Sequence, residues 1–258
     1  MITMKINDTS FSTGKWPLDS SLATIIFIHG AGNSKKFWEL QIQGLSEKFN
    51  TIAIDLPGHG DNNGAGMDNI GDYARFVEGF ISAINPPSPI PCGLSMGGAI
   101  TLDLLLNNAI KFSAGIIVNS GAKLKVMPAI FDLIKNNYDG YVSSIASIGS
   151  SPSTDRSKLA GIVSDSEKCR PDIVYNDFTA CDNFNLIDKL NSIVTPVLVL
   201  TAEEDKLSPK KYGEFIADNI KGSVHVNIFN AGHFSPVEQP EKVNEAILNF
   251  IMSYCPVK

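Results

Sequence analysis

The stretch Gly93-Leu94-Ser95-Met96-Gly97-Gly98 constrains this chain more than any other. A Gly-x-Ser-x-Gly pattern places a serine on a sharp strand-to-helix turn, where side chains two residues away on either side would collide with it. Glycines at 93 and 97 meet that demand. The flanks agree: Ile90 to Cys92 is short and apolar, and Ala99, Ile100, Leu102, Leu104, Leu105 and Leu106 suit a helix. By itself the five-residue pattern also fits a flexible loop, so the decision rests with the remainder of the chain.

Around it the sequence alternates strands and helices. Leu22 to Ile28, Thr51 to Leu56, Ser113 to Asn119, Thr195 to Thr201 and Val224 to Phe229 are short apolar runs of the kind buried on both faces of a parallel sheet. Between them, Ile70, Tyr73, Ala74, Val77, Phe80, Ile81 and Ile84 recur at helical spacing, and helices are also expected over 34–48, from Ser208-Pro209 and from Pro240. Weak strand signals at Met4 to Ile6 and around Phe11 suggest a hairpin at the start. The pattern predicts an α/β fold: a mostly parallel central sheet with helices on both faces. From Asn119 to Thr195 no strand is evident, but helical candidates are (129–136, 138–148, 157–163 and 172–180), so residues 121–190 read as a helical cap inserted into a core of 1–120 and 191–258. Pro86, Pro87, Pro89 and Pro91 lead up to Ser95, and since proline lacks the ladder donor a short or irregular strand is expected there.

Composition excludes several functions. With 27 acidic against 21 basic residues, a net charge of -6 and no basic run, nucleic acid is not an expected partner. No apolar run approaches the roughly 18 residues of a membrane span. The four cysteines, at 92, 169, 181 and 255, form no Cys-x-x-Cys pair and read as free thiols, and Met1 to Ser10 lacks the apolar core of a signal peptide, so the cytoplasm is the expected location. Histidines and cysteines lack ligand spacing, so neither a metal nor another cofactor is expected.

A serine hydroxyl is a weak nucleophile at neutral pH and needs a base in hydrogen-bond reach, itself oriented by an acid. Of the four histidines, His29 and His59 follow early strands in glycine-rich turns and His225 lies within a strand. His233, in Ala231-Gly232-His233-Phe234, follows the last strand, where it can reach over the sheet's carboxyl edge. Glu203, Glu204 and Asp205 compete as the acid after Val197 to Leu200; Asp205 leads because it lies farthest along the turn. Two N–H donors are needed for an oxyanion: that of Met96, opening the helix after Ser95, and that of Ala31 in His29-Gly30-Ala31-Gly32.

Together these pieces, with Asp55-Leu56-Pro57-Gly58-His59-Gly60, resemble the alpha/beta-hydrolase superfamily over residues 20–254. The resemblance implies a Ser95, Asp205 and His233 triad, an oxyanion hole at Ala31 and Met96, and a structural His59. Ala202, where relatives often have glycine, and the prolines before Ser95 depart from the pattern; serine at 95 argues against relatives that attack with aspartate. The expected activity is cofactor-independent hydrolysis of a small acyl ester. A thioester, a lactone or a carbon-carbon bond beside a carbonyl is the alternative on the same machinery, as is a receptor-like binder with little turnover. Met127, Phe131, Tyr138 and Phe178 are the expected substrate-pocket residues, alongside Ile130, Ile134 and Tyr141.

Overall fold

A computed structural model describes residues 1–107 and 110–254; Cys255 lies outside them. Among the described residues, β1 (Ile2–Ile6), β2 (Thr9–Thr13), β3 (Thr24–Ile28), β4 (Asn50–Ile54), β5 (Pro89–Leu94), β6 (Gly115–Val118), β7 (Val197–Ala202) and β8 (Val224–Ile228) form one sheet of order β1-β2-β4-β3-β5-β6-β7-β8. The β1–β2 hairpin joins it antiparallel through β4, and all later neighbours pair parallel. The strands alternate with α1 (Glu39–Leu45), α2 (Ile70–Ile84), α3 (Met96–Asn107), α4 (Pro128–Asn136), α5 (Tyr138–Gly149), α6 (Ala160–Lys168), α7 (Pro171–Asn183), α8 (Lys210–Asn219), α9 (Ser235–Glu238) and α10 (Pro240–Tyr254).

Alternation along each strand divides the core. In β3, Ile26 and Ile28 face the layer of α2, α3 and α8, packing with Tyr73, Val77, Phe80, Ile100 and Ile216. Ile25 and Phe27 face α1 and α10, packing with Ile42, Leu45, Val243, Ile247 and Phe250. Each such side chain taken out of water contributes about 1.5–3 kcal/mol, so a strand buried on both faces stabilises two layers at once. Helix α2 shows how local signals fix its ends: the Asn69 side chain accepts from Gly71 N, and Asn85 closes the helix in a left-handed conformation, φ 43°.

Strand β5 differs from the expectation of a short or irregular strand. It is a regular six-residue strand with a parallel neighbour on each side. The Pro89 carbonyl accepts from Ser113 N, on the β6 side, and in a parallel strand a residue's N–H would point the same way as its C=O. Pro89 and Pro91 have the same parity, so both missing donors face β6, whose ladder begins only at Cys92↔Ile116. The prolines thus cost no ladder bond. The start of α8 differs too: Pro209 is the N-cap and Ser208 lies outside the helix, its backbone N–H donating to Asp205 Oδ1 at 2.8 Å.

Between β6 and β7 the chain is helical, α4 to α7, with its own apolar cluster of Ile134, Tyr141, Val142, Cys169, Ile173 and Val174. Among the described residues no helix is long and apolar enough to cross a membrane.

Candidate active site

Ser95 stands between β5 and α3 with φ 54°, partly exposed. Its backbone is held from β6: Ser95 N donates to Val118 O at 3.0 Å, and Ser120 Oγ donates to Ser95 O at 2.7 Å. A side chain at Gly93 would overlap the Gly97 carbonyl, and one at Gly97 the Ile28 carbonyl, so the strain at Ser95 is enforced by close backbone approach on both sides.

Asp205 and His233 meet in the structure. His233 Nδ1 lies 2.8 Å from Asp205 Oδ2, both residues being buried. A carboxylate only accepts, so Nδ1 carries the proton and Nε2 is left as the basic nitrogen. The other carboxylate oxygen accepts from Leu207 N and Ser208 N, each at 2.8 Å, which locks the acid in place. Glu203 is exposed, and Glu204 accepts from Ser151 Oγ. The His233 loop comes to the same strand end as Ser95, because Asn119 Nδ2 donates to His233 O at 2.9 Å. Residues 118–120 thus hold both groups. Ser95 Oγ and His233 Nε2 have no hydrogen-bond partner among the described residues.

Two backbone donors flank the serine. Met96 is the first residue of α3, so its N–H has no intrahelical acceptor. In the turn after β3, the Gly30 carbonyl takes His29 Nδ1 and Asn33 N, the Ala31 carbonyl takes Asn33 Nδ2, and Gly32 N is bonded to Asp177. The Ala31 N–H is left without a partner among the described residues. This turn sits against Ser95: a Cβ built on Gly30 would lie 3.5 Å from Ser95 Cβ.

The alpha/beta hydrolase family profile matches residues 25–246. The chain belongs to that family. It is 26% identical over 238 residues to 3-oxoadipate enol-lactonase 1 of Acinetobacter baylyi, covering 89% of this chain and 88% of the relative. Carboxylesterase YbfK of Bacillus subtilis is 24% identical over 240 residues, with coverage of 88% and 80%. Among solved structures, a thermophilic esterase superposes with a TM-score of 0.83 at 26% identity, covering 98% of each chain.

This alpha/beta hydrolase also buries polar groups around the site, of which Asp177 and Glu238 are ones that motif reading does not single out. His29 is buried with Nδ1 on Gly30 O and Nε2 accepting from Leu56 N at 3.1 Å; burial, reinforced by the neighbouring His59, depresses its pKa to about 3. Asp177, on α7, is fully buried: Oδ2 accepts from Gly32 N at 2.9 Å and contacts His59 Nε2 at 2.8 Å, while Oδ1 accepts from Tyr73 Oη at 2.6 Å. Burial alone would lower the His59 pKa, but the charge and hydrogen bond of Asp177 outweigh it and the net shift is upward. Glu238, on α9, is equally enclosed. Its Oε1 accepts from Gly232 N and Phe234 N, on either side of His233, and its Oε2 from Ser151 N and Thr154 Oγ1 beyond α5. One sequence signal existed for Asp177: it stands on the buried face of α7 one turn from Ile173 and Cys181, where a charge is out of place without a partner.

The expected pocket residues occupy different settings. Met127 is 66% exposed at the start of α4. Phe131 packs edge-on against Tyr175, and Phe178 against Tyr141. Tyr138 stacks on Tyr141 and donates to the Ser166 and Cys169 carbonyls, both at 2.8 Å. No hydrogen bond or ring contact joins these four to Ser95 or His233. The cysteines at 92, 169 and 181 are free and buried.

Proposed function

We propose that this protein is a cofactor-independent serine hydrolase of small carboxylic esters. In this reading Ser95 Oγ attacks the ester carbonyl carbon while His233 Nε2 takes the hydroxyl proton, and Asp205 holds the imidazole in the required tautomer. The carbonyl oxygen becomes an oxyanion, stabilised by the Ala31 and Met96 N–H groups. Collapse breaks the bond to the alcohol, which leaves with the proton from His233; water, deprotonated by the same nitrogen, then releases the acid and restores Ser95. The observation that carries this reading is the buried Asp205–His233 bond, whose carboxylate is fully engaged and whose histidine loop is tied to the strand end that also holds Ser95.

Esterases among the similar proteins support the substrate class. The likeness to an enol-lactonase favours a second reading, a cyclic ester opened by the same steps, with the alcohol remaining on the product. Hydrolysis of p-nitrophenyl acetate and of a series of longer esters and lactones tests both. Ser95→Ala should lose at least about 10³-fold in kcat on every substrate accepted, and a variant as fast as the unmodified protein would remove the serine mechanism.

The helical segment over 121–190 serves as a cap in this proposal, with Phe131, Tyr138 and Phe178 contributing to its apolar side and Met127 to its outer rim. A small-molecule substrate is the only partner this chemistry calls for.

A further inference from the structure

The buried carboxylate of Asp177 has no part in the steps above, yet its contacts are unusual. It is carried by α7, in the segment between β6 and β7, and it reaches into the turn after β3. Within that turn both carbonyls are held locally by His29 and Asn33, and the Gly32 N–H is held by Asp177 Oδ2 at 2.9 Å. The neighbouring Ala31 N–H is the donor left free. That N–H lies in the Gly30–Ala31 peptide plane, whose carbonyl His29 and Asn33 hold, and Asp177 fixes the adjoining Ala31–Gly32 plane from outside the turn, so the rotation about Ala31 between the two planes is set as well.

Resting on the proposed serine mechanism, we infer that Asp177 is a positioning residue: its carboxylate sets the Gly30-Ala31-Gly32 turn so that the Ala31 N–H meets the developing oxyanion. His59 supports it from the same oxygen. His59 Nε2 and Gly32 N share Oδ2, which holds that oxygen in the turn, whereas Tyr73 Oη bonds the opposite oxygen, Oδ1, outside the turn. Such an arrangement places the oxyanion donor under the control of a helix far away in the sequence. A displacement of about 1 Å in a catalytic group can cost on the order of 10²-fold in rate, so a single misaligned N–H is a large effect.

The test compares Asp177→Leu, which removes every acceptor at similar volume, with Asp177→Asn, whose amide oxygen can still accept from Gly32 N while its NH2 turns toward Tyr73. Tyr73→Phe is the control: it removes a donor from the same carboxylate at Oδ1 and leaves the Gly32 bond. For each, p-nitrophenyl acetate kinetics, the Ki of phenylboronic acid and Tm are measured. Phenylboronic acid forms a tetrahedral adduct on the serine and so reports the oxyanion site without turnover. Expected for Asp177→Leu are a kcat about 30- to 100-fold lower, KM within about threefold and a Ki raised in parallel with the kcat loss. Asp177→Asn should recover kcat to within about fivefold of the unmodified protein, and Tyr73→Phe should lower Tm with kcat within about threefold.

A folded Asp177→Leu with kcat and Ki within twofold of the unmodified protein would overturn the inference, as would a Tyr73→Phe that loses activity to the same extent. Should Asp177→Leu fail to fold, amide exchange in the unmodified protein decides: Gly32 N–H should be protected like the amides of β3, and exchange at the rate of an exposed loop overturns the claim. These outcomes are separate from failure of the serine mechanism, which would show as activity retained by Ser95→Ala.

Discussion

At the scale of single residues, Ser95 shows how a serine is held in a conformation where most residues would not stay. A non-glycine residue at φ 54° costs roughly 1–2 kcal/mol and persists only when its surroundings enforce it. Here the enforcement is backbone against backbone: Gly97 lies under the carbonyls of Ile28 and His29, and a strand carbonyl cannot step aside for a methyl group. Gly97→Ala should therefore lose more than about 3 kcal/mol of stability, read as a fall in Tm, or fail to fold. Gly79 is the contrast. It sits in the exposed face of α2 with nothing within 4 Å of a built Cβ, so Gly79→Ala should raise stability by about 0.5–1 kcal/mol. A lower Tm for Gly79→Ala would contradict that account. Asp205 is next in consequence. Asp205→Asn preserves shape but lets the amide present a donor to His233 Nδ1, favouring the wrong tautomer, and kcat should drop about 10³- to 10⁴-fold with little change in Tm. Retention of more than a tenth of the rate would mean that another group orients His233.

Elements make clear what the sequence could and could not disclose. Strand β3, helix α2 and the turn at Ser95 were legible because each is decided locally, by alternation, by helical spacing and by close approach. The β5 prolines misled because their effect depends on which edge of the strand they face, and that follows from where β6 begins to pair, a tertiary fact. Glu203, Glu204 and Asp205 were readable only as an order along a turn; the contact that separates them, Asp205 Oδ2 against His233 Nδ1, needs the folded loop. Short element α9 supplies a further case. Glu238 accepts four hydrogen bonds and joins the loop on both sides of His233 to the chain after α5. Gln at this position keeps only one acceptor oxygen and so abandons one pair of donors. Glu238→Gln should cost about 2 kcal/mol, a Tm lower by roughly 4–8 °C, together with a lower kcat as the histidine loop loosens. A melt and a rate both unchanged would show that the clasp is not needed.

For the molecule as a whole, buried ionisable groups give stability a pH dependence of opposing signs. His29 is neutral in the folded protein, and its pKa, pushed down to about 3 by burial, lies below the ordinary value near 6.5. Its contribution is complete above about pH 6.5 and is lost as pH falls toward 3, because only the unfolded chain accepts the proton readily. His59 runs the other way: its raised pKa gives stability that is complete below about pH 6.5 and lost as pH rises through its folded value. The Tm advantage of the unmodified protein over His29→Gln should accordingly shrink between pH 6.5 and 4, and an advantage constant over that range would rule the assignment out. The Asp177 charge was visible on a buried helix face, but its partner was not: Gly32 and Asp177 are 145 residues apart, and no periodicity connects them. The sheet order has one more outcome, which concerns synthesis. Ser95 leaves the ribosome early, at the end of β5, whereas Asp205 and His233 follow β7 and β8, after the whole helical segment has emerged. On the proposed mechanism a nascent chain therefore carries an idle serine until its last strand is laid at the sheet's edge, and the appearance of ester hydrolysis in a translation reaction would time the completion of the fold.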